Sequence, residues 1–204
     1  MASLVGSRVE RKEDKKLLTG RGKYTADVNF INQTFAYFVR SPHARAQIKK
    51  VDIAKAMKAS GVVSILTGAD IANDKIGGLI AGWRIKSEDG SEMKVPAHPP
   101  LASESVNYVG DHVAVVIAES LDEARNAAEL VKVDYKILKA VVKTDKAMDS
   151  ESIYKDIPKN LCFDWLLGDR AKVKEAFEKA DKIIKIDLIN NRLIPNAMEP
   201  RAAN

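Results

Sequence analysis

Hydrophobic and polar residues alternate, or apolar residues form short runs, in several segments of the first two thirds of the chain. Because successive side chains of a strand point to opposite faces of a sheet, this spacing predicts β-strands. The predicted strands are residues 35–41, 46–51, 62–66 and 131–135. Two further β-rich runs flank Gly110 and Asp111 within residues 106–118, which predicts a hairpin closed by a tight turn.

Helices are predicted where a polar capping residue precedes an apolar period of 3.6 residues. Thr67 with Asp70, and Ser120 with Glu123, have the three-residue spacing of a capping box. The second box opens a helix with apolar side chains on one face, namely Leu121, Ala124, Ala128 and Val131. Strands interrupted by a helix and followed by another strand predict an α+β fold, with helices packed on a mixed sheet.

Glycine, proline and capping residues mark the shorter elements and the loops. Asp52 is expected to cap a short helix over residues 53–59, which Gly61 ends in the left-handed conformation. Residues 1–19 are expected to be an extended lead-in. Residues 77–103 are rich in glycine and proline and predict a long irregular segment, which we call the excursion. Loops of this length are usually functional or face a partner.

The last third of the chain begins with a polar connector over residues 139–167. An amphipathic helix is then predicted from the spacing of Val173, Ala176, Phe177 and Ala180, and a half-buried strand over residues 183–189. These elements are expected to open a second domain. Because the compact motif Met198-Glu199-Pro200-Arg201 lies at the last residues, we expect the chain to be a fragment of a longer polypeptide.

Charge and cysteine content narrow the class of protein. The 33 basic and 28 acidic side chains are interleaved along most of the chain, which is typical of a solvated surface rather than a nucleic-acid face. The single cysteine, Cys162, excludes an internal disulfide and favours a reducing compartment. The chain has no secretory h-region and no apolar stretch of the ~18 residues that a membrane span needs. A cytoplasmic protein is therefore expected.

The residue types that could carry chemistry are scattered. His43, His98 and His112 lack the close ligand spacing of a zinc site, so no metal site is expected, and structural roles are favoured for His43 and His112. Asp89 and Glu92 are expected to be solvated loop charges. The glycine-rich segments 20–23 and 77–82 match neither a phosphate-binding loop nor a dinucleotide-binding fingerprint.

Four segments together resemble one known family. They are residues 8–27, residues 40–46 (Arg-Ser-Pro-His-Ala-Arg-Ala), residues 108–118 (Tyr-Val-Gly-Asp-His-Val-Ala-Val-Val-Ile-Ala) and Met198-Glu199-Pro200-Arg201. Their order and spacing resemble the start of a molybdenum hydroxylase large subunit, a family that includes xanthine dehydrogenase, aldehyde oxidase and the aerobic carbon monoxide dehydrogenase large chain. The opening most resembles the last of these, and the resemblance covers nearly the whole chain.

The resemblance implies a domain plan and a set of cofactors. Residues 20–138 would be an α/β hammerhead domain, residues 139–167 a linker, and residues 168–204 the beginning of a molybdopterin-binding domain. The full-length subunit would carry molybdopterin, in the cytosine dinucleotide form. It would hydroxylate a small-molecule substrate with oxygen from water and pass electrons to a small Fe–S subunit and a medium FAD subunit. The sequence departs from the family pattern at Arg45 and Lys139.

No catalytic or cofactor-binding residue is assigned in this chain. The resemblance implies that the pterin-binding glycine and glutamine loops and the glutamate base lie further along the large subunit. The fragment itself is therefore expected to bind no cofactor and to be inactive. Glu199 belongs to a family motif, and a salt-bridged carboxylate that organises the domain junction is favoured over a catalytic base, because a base requires a placed substrate.

Two other classes of function stay open from the sequence. One is a stand-alone, non-enzymatic interaction or scaffold domain. The other is a nucleic-acid-binding module that uses the basic residues between Arg8 and Lys23. Within the enzyme interpretation, carbon monoxide, aldehydes and N-heterocycles all remain candidate substrates.

Overall fold

The computed structural model describes residues 5–191, 193–197, 199 and 201–204. The chain divides into two compact units, the smaller made of Met1–Gln33 and Ile184–Asn204, and the larger of Thr34–Ile183. The strands of the larger unit are β1 (Phe35–Arg40), β2 (Ala46–Asp52), β3 (Val62–Thr67), β4 (Ser105–Val106), β5 (His112–Ala118) and β6 (Lys132–Ile137). The helices are α1 (Asp14–Leu18) in the smaller unit, and α2 (Gly68–Asn73), α3 (Leu121–Leu130) and α4 (Arg170–Glu178) in the larger unit.

One sheet of the larger unit has the strand order β1-β5-β3, with both pairs antiparallel. Strand β5 is central, and its side chains alternate between two faces, as the sequence pattern predicts. Its Ala114, Val116 and Ala118 are fully buried on the face covered by α3. Small residues predominate in this contact, which lets the helix approach the sheet closely.

The second sheet has the order β4-β2-β6 and is also antiparallel. Its core consists of Ala46, Ala102, Val106 and Val113, the last of which comes from β5 of the first sheet. Strand β5 therefore joins the two cores, because its alternate side chains enter different clusters. The α+β class and the hammerhead architecture are confirmed, but every pairing is antiparallel rather than mixed.

The prediction of a hairpin within residues 106–118 is wrong, because the two strands of this segment do not pair with each other. Strand β4 pairs with β2, whereas β5 pairs with β1 and β3, so the two halves of the segment lie in different sheets. The reason is a competing set of backbone contacts. Ser41 donates its N–H to the Asp111 carbonyl and its own carbonyl accepts the Gly110 N–H, both at 2.8 Å. These bonds pair the predicted turn with the β1–β2 connection.

The capping box predicted at Thr67 and Asp70 is confirmed. The cap predicted at Ser120 is confirmed as well, but there the Glu123 carboxylate accepts the Ser120 hydroxyl rather than the Ser120 N–H. The Asp70 carboxylate accepts hydrogen bonds from the Thr67 N–H and hydroxyl, both at 2.7 Å, and Ser120 accepts the Glu123 N–H at 3.2 Å. Gly61 has the predicted positive φ, of 70°. The helix predicted over residues 53–59 is reduced to one 3-10 turn, Ala56–Lys58, because the chain must turn at once into β3.

Residues 183–189 form no strand, contrary to the sequence prediction. An amphipathic strand needs a neighbour for its backbone hydrogen bonds, and no strand pairs with this segment in the described part of the chain. Ile184, Ile186 and Leu188 are consequently exposed. The lead-in differs as well, because Asp14–Leu18 form the helical turn α1 where an extended chain was expected.

The amphipathic helix predicted around Val173 is confirmed as α4. It begins at Asp169, whose carboxylate accepts the Lys172 N–H at 3.1 Å. None of its residues is buried, so its apolar side chains, including Val173 and Phe177, face outwards. Across the described ranges, no helix has both the length and the apolar character needed to cross a membrane.

Candidate functional site

Polar side chains gather where the β4–β5 connection meets the body of the larger unit. We call this group the junction cluster, and its members are His98, Asn107, Tyr108, Asp111 and Tyr154. Asp111 is only 9% exposed, and its Oδ2 accepts the Asn107 N–H at 3.0 Å. Asn107 in turn donates its side-chain N–H to the Tyr154 hydroxyl at 3.3 Å. The buried carboxylate is thus enclosed by hydrogen-bonding groups, as a buried charge requires.

The tyrosines of this region stay neutral at physiological pH. Burial raises the pKa of Tyr108, and the nearby Asp111 carboxylate raises it further. Burial likewise raises the pKa of Tyr154, although its hydrogen bond with Asn107 acts in the opposite direction. Phenols of raised pKa are poor general acids or bases near neutrality. The junction cluster is therefore suited to holding structure together rather than to proton transfer.

Each histidine lies against an aromatic ring. His112 stacks on Phe38 with ring centroids 4.5 Å apart, and His43 meets the edge of Tyr135 at 4.9 Å. The His98 Nε2 lies 3.3 Å from the Tyr108 hydroxyl. His112 belongs to β5 rather than to the predicted hairpin, and it is partly buried. Burial lowers the pKa of His112, and the Arg40 guanidinium lowers it further.

The cavity at the junction cluster is small. It encloses about 60 Å³ and is lined by all five cluster residues, together with Ala97, Pro99, Ala102 and Ser105. Pockets for organic ligands are typically about 300–1,000 Å³. The cavity is therefore too small for an organic substrate.

Glu199 lies in the smaller unit beside a cavity of about 520 Å³, which Lys16, Arg21, Lys23 and Tyr24 also line. Its Oε1 accepts the Thr25 N–H at 3.3 Å. This bond comes from a backbone N–H, and the role of Glu199 as a salt-bridged carboxylate stays a prediction. Met198 and Pro200 of the motif lie outside the described residues, as do residues 1–4 of the opening.

The side chains that could bind a metal ion lie apart from one another. Within the described ranges, no group of three or more His, Cys, Asp or Glu side chains could hold a metal ion. Cys162 is partly exposed. Asp89 accepts the Ser91 N–H, and hydrogen bonds from Ser91 lower the pKa of Asp89, whereas Glu92 pairs with Lys86 at 3.3 Å. The described residues therefore offer no set of side chains that could ligate a metal ion or an iron–sulfur cluster directly.

Arg45 is the structurally important residue that sequence reasoning missed. It is 8% exposed, and its guanidinium donates to the carbonyls of Lys139 and Ser152, both at 3.2 Å. Arginine is rarely this buried without several partners. The signal available in the sequence was its departure from the family pattern, which by itself indicates no contact.

Comparisons with known proteins agree with this architecture. The family model described as "Aldehyde oxidase and xanthine dehydrogenase, a/b hammerhead domain" matches residues 19–139. The nicotine 6-hydroxylase large subunit of Paenarthrobacter nicotinovorans is 34% identical over 98% of this chain and 24% of its own length. The carbon monoxide dehydrogenase large chain of Afipia carboxidovorans is 31% identical over 96% of this chain and 24% of its own length.

A solved structure shows the same fold. Reconstituted carbon monoxide dehydrogenase from Oligotropha carboxidovorans superposes with a TM-score of 0.70 at 31% identity, over 87% of this chain and 22% of that chain. The chain spans about a quarter of the length of the curated relatives that it matches. Because the hammerhead match covers more than half of the sequence and the structural neighbour agrees with it, the chain belongs to the aldehyde oxidase and xanthine dehydrogenase family of molybdenum hydroxylases.

Proposed function

We propose that this chain is the N-terminal part of the large, molybdenum-carrying subunit of a hydroxylase that oxidises a small molecule with oxygen taken from water. The observation that supports this most directly is the hammerhead match over residues 19–139 within a similarity that extends along 98% of the chain. In this proposal the chain supplies a folded domain of the enzyme. The cofactor, molybdopterin in its cytosine dinucleotide form, is held by other residues of the full subunit, since a cofactor carries such chemistry only where the protein positions it.

Electron transfer is assigned to partner subunits. We assign the clusters and the flavin to a small Fe–S subunit and a medium FAD subunit that assemble with the full-length protein in the cytoplasm. The names of the two relatives, a large subunit and a large chain, support this assignment. The substrate class includes carbon monoxide, aldehydes and N-heterocycles. The Paenarthrobacter relative is named for nicotine and the Afipia relative for carbon monoxide.

The excursion is the segment of this chain that we assign to contact with a partner subunit. Its first part exposes large apolar side chains, among them Ile80 and Trp83, and Trp83 is 86% exposed. Exposed aromatic residues are enriched in protein interfaces. Deletion of residues 82–98 is expected to abolish co-purification of the partner subunits, whereas co-purification at the wild-type level would contradict this assignment.

The first experiment is to sequence the coding DNA beyond Asn204. An open frame that continues for several hundred codons and encodes glycine-rich pterin loops and a late glutamate would support the enzyme proposal. A stop codon directly after Asn204 in intact genomic DNA would instead favour a stand-alone interaction domain.

The full-length complex then tests the chemistry. We expect about one molybdenum per large subunit, release of a cytosine nucleotide on acid hydrolysis, and incorporation of ¹⁸O from labelled water into the product. A purified complex without molybdenum but with wild-type turnover would contradict the proposal. A guanine nucleotide would contradict only the assigned form of the cofactor.

A further inference from the structure

The connector after β6 is held to the body of the larger unit by specific hydrogen bonds. We call residues 139–164 the strap. Arg45, at the start of β2, donates to the Lys139 and Ser152 carbonyls, and its Nη1 lies 3.6 Å from the Glu151 carboxylate. Glu151 is 74% exposed on its side chain, so this ion pair contributes little. The two carbonyl contacts are therefore the main link between the buried guanidinium and the strap.

Asn160 closes the strap on itself. Its side-chain oxygen accepts the Ile153 N–H at 2.8 Å, and its side-chain N–H groups donate to the Ala147 and Glu151 carbonyls at 2.8 and 3.2 Å. Its φ of 55° lies in the left-handed region, which asparagine tolerates better than most residues. One side chain thus brings residues 147–153 against residue 160.

A second contact holds the strap to the junction cluster. The Tyr154 hydroxyl accepts a hydrogen bond from Asn107, and Ile157 is 2% exposed. Burying an isoleucine side chain stabilises a fold by about 1.5–3 kcal/mol. The strap is therefore part of the folded body of the larger unit.

Residues 85–94 of the excursion depend mainly on the strap for their outward hydrogen bonds. Residues 85–94 form a local hairpin, in which Met93 donates to the Ile85 carbonyl at 3.1 Å. Glu88 and Lys94 donate their N–H groups to the carbonyls of Asp164 and Cys162, at 2.8 and 2.9 Å. In the described part of the chain, every hydrogen bond that leaves residues 85–94 ends at residue 162, 164 or 170.

From these contacts we infer that the strap is a conformational device that sets the position of the excursion hairpin, residues 85–94, with Arg45 and Asn160 as positioning residues. The body holds the strap through Arg45 and Tyr154, and the strap holds residues 85–94. Among the described residues, the only other outward hydrogen bond of the hairpin is the exposed ion pair of Glu88 with Arg170 of α4. Loosening the strap therefore frees the backbone contacts of the hairpin while the two sheets stay intact. This inference concerns the folded chain and does not rest on the proposed enzymatic function.

Hydrogen exchange of the whole chain, resolved to single amides, tests the device. In Arg45→Met, exchange at the Glu88 and Lys94 amides is expected to rise about tenfold, because their acceptors become mobile. Amides of β5 lie in the core and exchange through global unfolding, so their exchange is expected to rise only in step with the loss of global stability, whereas Glu88 and Lys94 exchange through local opening of the strap. Arg125→Met is the matched control, since Arg125 is an exposed arginine on α3, and it is expected to leave both groups of amides unchanged.

Two variants guard against a folding defect in Arg45→Met. Asn160→Gly keeps the left-handed backbone accessible but removes the hydrogen bonds of the side-chain amide. Tyr154→Phe removes only the hydroxyl. Both variants are expected to increase hydrogen exchange at the Glu88 and Lys94 amides. Unchanged exchange at these two amides in the folded variants would overturn the inference. An equal rise at Glu88 and Lys94 in Gly61→Ala would also overturn it, because that variant lowers global stability without touching the strap.

Discussion

The guanidinium of Arg45 donates a hydrogen bond to the carbonyl of Lys139 across 3.2 Å, so the two positions at which this sequence departs from the family pattern contact each other. The contact does not depend on the side chain of residue 139, since any residue offers the carbonyl. It does depend on arginine at position 45, whose planar fork presents five donors and can reach Lys139 and Ser152 together.

Arg45→Met is expected to lower the free energy of unfolding by about 2–3 kcal/mol, because it leaves two carbonyls without their donor while keeping most of the apolar stem. Urea unfolding of the folded variant measures this loss. Glu151→Gln is the control and is expected to change the free energy by less than about 1 kcal/mol, since Glu151 is largely exposed. Equal losses in the two variants would show that the ion pair, rather than the carbonyl contacts, is the stabilising interaction.

Gly61→Ala should destabilise the fold for two separate reasons. The φ of 70° disfavours a side chain, and a Cβ at this position would overlap the Glu123 carboxylate, which accepts a hydrogen bond from Ser120 at the start of α3. We expect a loss of about 2–3 kcal/mol in thermal or urea unfolding.

Gly110→Ala measures how much of the stability lost in Gly61→Ala comes from the backbone conformation alone. Gly110 also has a positive φ, of 91°, but a Cβ there would meet no atom within 4 Å. Its expected loss is about 1 kcal/mol. If both variants lose the same amount, the contact with Glu123 contributes nothing.

His112 is expected to make the fold less stable as the pH drops below about 6.5. Burial and then Arg40 lower the pKa of His112, while Asp111 opposes this. Below the unfolded pKa of about 6.5, the unfolded state therefore binds more protons than the folded state. The free energy of unfolding should thus fall as the pH drops below 6.5, by at most about 1.4 kcal/mol per pH unit, until the folded pKa is reached.

His112→Phe tests this dependence because phenylalanine keeps a ring against Phe38. We expect the difference in unfolding free energy between pH 7.5 and pH 5 to shrink in this variant. The hydrogen bonds that lower the pKa of Asp52 and Asp70 act only at more acidic pH, so they do not interfere. The same pH dependence in the variant and the wild type would exclude His112 as its source.

Ser120→Ala and Asp169→Ala remove equivalent caps from helices in different surroundings. Ser120 caps α3, which buries three alanines, and its loss is expected to lower global stability by about 1 kcal/mol. Asp169 caps α4, which buries no residue. Its removal should reduce helicity, measured by circular dichroism, without shifting the main unfolding transition. A shift of that transition would mean that α4 contributes to the core.

Local features were the ones that the sequence determined by itself. The caps at Thr67 and Ser120, the positive φ of Gly61 and the strands around Phe35, Ala46 and Val62 depend on neighbouring residues, and these were predicted correctly. Family membership was also available from the sequence, because four short motifs in fixed order are specific in combination.

Only the tertiary structure decided which strands pair and which distant groups form hydrogen bonds. Residues 106–118 have every local property of a hairpin, yet Ser41 takes the backbone groups of Gly110 and Asp111, and the two halves enter different sheets. Residues 183–189 have the pattern of a strand but find no strand to pair with among the described residues. Nothing in the residues next to Arg45 indicates that it is buried. The fold brings the carbonyls of Lys139 and Ser152, which are distant along the chain, to its guanidinium. Local patterns determine what a segment can form, whereas burial and hydrogen-bond partners depend on residues far away in the sequence.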